Sequence, residues 1–362
     1  MEYITGFRNP AAAAALLDRI EMSCERLSDR TVSIMEVCGT HTMAIARYGI
    51  RSLVPDTVNL TSGPGCPVCV TAAGYVDAAI LLAEKGCVIA TFGDMMNVPG
   101  SRSSLAECRS RGADVEVCYS PTAALELARA LPDRETVFLA VGFETTIAPI
   151  VTLMEPVLRE PISNFSLLTA FKSVPPVLHM LMADPEVRLD ALLCPAHVSA
   201  IIGTDAYQPL ADAGLHCVVA GFELLDILYG IAGILEQCTE GGGRVINQYS
   251  RVVKACGNLR AQALMQKYLE PCDAYWRGIG SLPSSGFAIR SEYAGCDAAL
   301  KFGLNIESGR EASDCRCGQV IKGIVKPSDC LLFATRCTPE DPVGPCMVSS
   351  EGSCSAYYKY SP

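Results

Sequence analysis

Short apolar runs rich in β-branched residues alternate with stretches of helical periodicity along the first 240 residues, and this alternation most narrows the choice of fold. Thr31–Val37, Thr57–Leu60, Cys87–Phe92, Val115–Cys118, Thr136–Val141, Phe165–Ala170, Ala191–Cys194 and His216–Ala220 read as strands. Ala72–Lys85, Ser103–Arg111, Thr122–Ala130 and Val174–Met182 read as helices. The pattern predicts an α/β protein, with parallel sheets covered by helices, and the strands suffice for two small sheets. A faint internal echo points to two related halves: Val137–Glu144 and Cys217–Glu223 are apolar strands that each end in Gly-Phe-Glu. Turn residues at Leu131-Pro132-Asp133 and a linker at Glu240-Gly241-Gly242-Gly243 then suggest α/β domains over 1–131 and 132–240. Residues 241–362 are expected to turn more helical and then loop-rich.

Half of the 362 residues are apolar and 19% are charged, so long disorder is not expected. The formal charge of −10 and the absence of a Lys/Arg-rich run argue against a nucleic-acid partner, which requires a basic face. Cys217–Leu235 is the most apolar stretch, but it contains Glu223, Asp226 and three glycines. It reads as a buried strand followed by a helix, not as a membrane span. Glu2 and Arg8 precede a run of alanines without the pattern of a signal peptide, so a cytoplasmic protein is expected. In that reducing compartment 19 cysteines point to metal ligation and thiol redox chemistry.

The reactive residues fall at strand ends. The expected strands run into Cys38-Gly39-Thr40-His41-Thr42, Gly63-Pro64-Gly65-Cys66-Pro67-Val68-Cys69, Gly93-Asp94, Gly142-Phe143-Glu144 and Pro195-Ala196-His197. In open parallel sheets the carboxyl ends of the strands share one edge, where ligands bind, so these loops could converge. Cys38 and His41 could ligate iron, or act as a Cys/His nucleophilic pair; a structural histidine would need neither. Cys66 and Cys69 have the spacing of a reversible disulfide or of two ligands to one metal. Their position before a predicted helix would favour thiolate. Asp94, Glu144, Glu223 and His197 could move protons or orient a ligand, though each could equally cap a helix or close a turn. His179 and His216 read as structural.

Six cysteines crowd into the tail: Cys315, Cys317, Cys330, Cys337, Cys346 and Cys354, amid Gly and Pro residues suited to wrapping a metal centre. Four thiolates could hold either a [4Fe–4S] cluster or one zinc. No phosphate-binding glycine loop of the Walker or dinucleotide type occurs, and no Cys-x3-Cys-x2-Cys.

Taken together, Cys38-Gly39-Thr40-His41-Thr42, Gly63 to Cys69, Thr91-Phe92-Gly93-Asp94-Met95, Gly142-Phe143-Glu144-Thr145-Thr146, His197-Val198-Ser199 and Gly344 to Gly352 closely resemble the HypD family of hydrogenase maturation factors. The resemblance spans nearly the whole chain. It implies a scaffold for assembling the Fe(CN)2CO group of [NiFe]-hydrogenases, working with a HypC-type small chaperone and a HypE-type cyanide donor. It further implies that Cys38 ligates the iron under assembly with His41 beside it, and that Cys66 and Cys69 are the redox-active pair. The same resemblance makes Cys315, Cys330, Cys337 and Cys354 the ligands of a [4Fe–4S] cluster, giving the tail the character of an iron–sulfur domain, with Cys317 and Cys346 accessory. Met43, Asn97 and Ala196 depart from the residues expected at those motif positions. A free-standing iron–sulfur thiol–disulfide oxidoreductase is the alternative reading.

Overall fold

A computed structural model describes residues 9–360 apart from 29 and 161, so Glu2 and Arg8 lie outside the described residues. All eight strands expected from the sequence form. The first sheet has the order β2-β1-β7-β8-β9, all parallel, from β1 (Val32–Glu36), β2 (Val58–Ser62), β7 (Ala191–Pro195), β8 (His216–Ala220) and β9 (Val245–Asn247). The second sheet has the order β10-β11-β6-β5-β3-β4, from β3 (Val88–Thr91), β4 (Val115–Val117), β5 (Thr136–Gly142), β6 (Phe165–Lys172), β10 (Leu269–Trp276) and β11 (Gly280–Ile289). Its first four strands in sequence pair parallel, while β10 and β11 add antiparallel at the β6 side.

The architecture is therefore α/β with two mainly parallel sheets, but the sheets do not separate along the chain. β1 and β2 pair with β7, β8 and β9, so segments divided at residue 131 each contribute strands to both sheets. The physical reason is burial. β1, β5 and β7 are buried along their whole length, and such strands need cover on both faces. The helices Pro10–Arg26 and Leu224–Glu240 cover one face of the first sheet through Leu16, Ile20, Ile227 and Ile231. Helices Pro121–Ala130 and Glu144–Val151 cover one face of the second through Leu125, Ile147 and Ile150. A shared core that includes Met35, Ile89, Leu139, Leu192 and Val219 joins the remaining faces, and Cys346 and Met347 of the tail enter it.

The expectation of a helical segment after residue 240 is met by Leu259–Tyr268, but the β10/β11 hairpin that follows was hidden in the sequence. Pro271, Pro283 and several serines obscure its alternation. Proline is tolerated in β10 because that strand is the sheet edge, and β11 meets β6 only at Gly286↔Lys172 and Phe287↔Phe171, away from Pro283. Cys217–Leu235 is a strand and a helix, as expected. Among the described residues no helix is long and apolar enough to cross a membrane.

Candidate functional site

Cys38 is the residue on which the loops of the first sheet close. It leaves β1 in extended conformation and is the N-cap of the helix Gly39–Arg47, with only 7% of its surface exposed. The Gly63-Pro64-Gly65 turn after β2 lies directly against it: the Gly39 amide donates to the Gly65 carbonyl at 3.1 Å. A Cβ on Gly65 would come within 2.6 Å of the Cys38 Cα, so this loop can approach only as glycine. On the other side the tail lies as close, since a Cβ on Gly39 would meet the Glu351 backbone oxygen at 2.4 Å. Burial, then the Glu351 charge, push the Cys38 thiol up to about 11, against the smaller pull of the Thr40 and His41 amides at the helix start. The free thiol is protonated at neutral pH.

His41 sits on the next turn and is fully buried. Its Nε2 is 3.1 Å from the Ala220 carbonyl and 2.9 Å from that of Gly221, at the end of β8. Burial lowers its pKa to about 4, so the ring is neutral. The Phe222 ring lies between His41 and His197, with centroids 4.6 Å and 4.3 Å away. The exposed His197 follows β7 and thus joins Cys38 and His41 at the carboxyl edge of the first sheet.

Cys66 and Cys69 follow β2 in the same edge. The Cys69 amide donates to Cys66 Sγ at 3.1 Å, which folds the pair into one turn. The thiolate expected from a helix start is not what forms at Cys69. The helix begins only at Ala73, beyond the reach of its terminal dipole, and burial pushes the Cys69 thiol well above the ordinary range.

Asp94 and Glu144 belong to the second sheet, after β3 and β5, so the five loops do not share one edge. Asp94 is nevertheless returned to the site by the tail. Its Oδ2 accepts from Ser349 Oγ at 3.0 Å, from the Ser350 amide at 3.2 Å and from Ser350 Oγ at 3.0 Å, while Thr40 donates to Glu351 at 2.8 Å. Ser349–Ser350–Glu351 therefore straps the tail across both sheets beside Cys38. Glu144 stays apart. Its Oε1 accepts from Ser173 Oγ at 2.9 Å and the Val174 amide at 3.0 Å, holding the start of the helix Val174–Ala183, and burial raises it to about 7. Glu223 accepts from the Tyr48 hydroxyl at 3.1 Å.

The tail thiols form a connected row. As free thiols, Cys315 neighbours Cys317, Cys317 neighbours Cys346 and Cys354, and Cys346 neighbours Cys354 and Cys69. Cys337 feels the charges of Cys315 and Cys317 and accepts from the Val343 amide at 3.4 Å. Cys330 lies on the adjoining turn, its carbonyl accepting from the Phe333 amide. A Cβ on Gly344 would fall 2.6 Å from the sulfurs of both Cys315 and Cys317, so the glycine leaves room against these thiols. Among the described residues no group of three His, Cys, Asp or Glu side chains is set to hold a single metal ion. As a donor set, all-thiol ligands in a Gly- and Pro-rich loop have the chemistry of either an iron–sulfur cluster or a zinc site. Sequence reasoning treated Cys317 and Cys346 as accessory and passed over Glu351. Cys346 and Glu351 stand within the quoted Gly344 to Gly352 motif, and Cys315-Arg316-Cys317 was the available signal for the other.

Residues 11–361 match the HypD family model, described as "Hydrogenase formation hypA family". Over 99% of its length the chain is 44% identical to the hydrogenase maturation factor HypD of Azotobacter vinelandii, covering 97% of that protein. It is 40% identical to the protein of that name in Escherichia coli, over 99% of this chain and 98% of the other. A putative hydrogenase expression/formation protein of Methanocaldococcus jannaschii is 40% identical over 95% and 96% of the two chains.

Proposed function

Since the chain belongs to the HypD family of hydrogenase maturation factors, we propose that it is the scaffold on which iron acquires its cyanide and carbon monoxide ligands for [NiFe]-hydrogenase. One observation carries this reading: the buried Cys38 thiol lies under a tail strap, and the same tail joins the Cys66/Cys69 turn through an unbroken row of thiols. The iron is the cargo. Cys38 binds it as thiolate, because a soft anionic ligand suits low-spin iron bearing cyanide and carbon monoxide, and a HypC-type chaperone contributes a second thiolate. Metal binding must displace the Cys38 proton, which the thiol otherwise holds at neutral pH, while His41 on the next helical turn stays neutral.

Cyanide arrives in bound form from a HypE-type partner and is released reductively. Cys66 and Cys69 hold the two electrons needed: closing the dithiol to a disulfide gives up two electrons and two protons. Their burial keeps both thiols away from bulk oxidants. Cys315, Cys330, Cys337 and Cys354 would hold a [4Fe–4S] cluster, which when bound supplies one-electron redox chemistry at the far end of the thiol row. Cys346 and Cys317 stand between that end and Cys69. The work is placed in the cytoplasm, where thiols remain reduced.

Turnover separates this scaffold from a free-standing thiol–disulfide oxidoreductase. The purified, reduced protein should consume a disulfide or bound-cyanide substrate once per chain and then stop until its partners are added. Sustained cycling by the protein with only a chemical reductant present would overturn the scaffold reading.

A further inference from the structure

The Gly-Phe-Glu echo is put to two different uses. After β5, Phe143 stacks on Trp276 and Glu144 holds a helix start, whereas after β8 Gly221 and Phe222 border His41 and Glu223 accepts from Tyr48. What fixes this second turn lies outside the site. The Gly221 amide donates to Gln248 Oε1 at 3.2 Å, and Gln248 Nε2 donates to Asp226 Oδ1 at 3.0 Å. Arg251 grips the same carboxylate through both oxygens, at 3.1 Å and 2.6 Å. Asp226 is 2% exposed, and its Oδ2 stands 2.1 Å from where a Cβ on Gly221 would be, so the turn is pressed against the carboxylate as only glycine permits.

The consequence reaches His41. With the turn held, the Ala220 and Gly221 carbonyls both face Nε2. Carbonyl oxygens only accept, so Nε2 must carry the ring proton and Nδ1 keeps its lone pair. Nδ1 is buried and has no hydrogen-bond partner among the described residues. We propose that Gln248, Asp226 and Arg251 are positioning residues that lock His41 in the Nε2–H tautomer, leaving Nδ1 as the unprotonated ring nitrogen. The inference deepens the scaffold reading and rests on it for the link to the iron site, but the lock itself is a property of the iron-free protein. An imidazole ligand or base whose second nitrogen is fixed by a carbonyl is a recurrent arrangement, and the residues that fix it set its orientation.

The test is a nitrogen-15 spectrum of the full-length, iron-free protein labelled at histidine, in which four signals sets are resolved by comparison with His41→Gln. The wild type should show His41 as a single Nε2–H tautomer. Gln248→Met fills similar space but cannot accept from the Gly221 amide, and it should convert His41 to a tautomer mixture while the other histidines keep their shifts. Arg251→Met should do the same through Asp226. A folded Gln248→Met and Arg251→Met pair that both retain the single Nε2–H form would overturn the proposal, as would an Nδ1–H tautomer in the wild type. Should neither variant fold, hydrogen exchange at the wild-type Gly221 amide decides: protection supports the clamp, and exchange at the rate of an open loop rejects it. None of these readings involves diatomic-ligated iron, so they fail or succeed separately from the function proposed above.

Discussion

At Cys38 the strand end delivers the thiol, and two glycine contacts then decide how little room surrounds it. Gly65 and Gly39 bring the chain on one side and Glu351 on the other to within backbone contact, which buries the thiol and keeps it protonated. Glu144 shows the same physics without the same use. The unfolded chain loses this proton near 4.5, while the folded chain holds it to about 7. The stabilisation from Glu144 is thus complete below about pH 4.5 and is lost as pH rises to about 7, by at most about 3 kcal/mol. Glu144→Gln cannot titrate, so the unfolding free energy of that variant, measured in denaturant across this range, should fall less steeply than that of the wild type. An unchanged slope would remove Glu144 as its cause. Cys38, His41, Cys66, Cys69 and His197 were legible as residues that follow strands, because strand and loop signals are local. The sequence pattern put His197 in a second α/β domain, however, whereas β7 joins the sheet of β1 and β2. Nor could it place Glu144, because which sheet a strand joins depends on distant pairing.

Among the elements, the tail loop around Gly344 is tightly constrained by the thiols it faces. Any side chain there enters the space against Cys315 and Cys317. Gly344→Ala should cost about 1–3 kcal/mol in fitting the proposed cluster, a loss of affinity of about 5- to 150-fold, while leaving the sheets intact. Iron and acid-labile sulfide counts after anaerobic reconstitution at limiting iron, with far-ultraviolet circular dichroism as the fold control, measure this; a variant that loads iron as readily as the wild type would show that no bound cluster presses against Gly344. The β10/β11 hairpin is the element least legible in the sequence. Its prolines and serines carry no clear alternation, and its place is fixed by β6, about a hundred residues earlier in the chain. By contrast the helix Leu224–Glu240 and strand β8 were legible, since an apolar run interrupted by Glu223, Asp226 and three glycines suits a buried strand and helix better than a membrane span.

Across the whole molecule, the chain passes from the first sheet to the second after β2 and returns after β6, and the core between the sheets takes residues from both and from the tail. Such interleaving predicts that residues 1–131 expressed alone do not fold, because β1 loses β7 and β3 loses β5. A dispersed amide spectrum from that fragment would contradict this. The arrangement also explains why the tail can serve a site formed by the first sheet: it is packed into the joint core, and Asp94 and Thr40 hold its strap from opposite sheets. Cys38 is where these constraints meet, and its assignment as the iron ligand is most directly tested by infrared spectroscopy of the complex copurified with the partner chaperone. In Cys38→Ala the bands of iron-bound cyanide and carbon monoxide should be absent while the visible absorbance of the cluster proposed for the tail persists. Bands that survive unchanged in that variant would contradict the account.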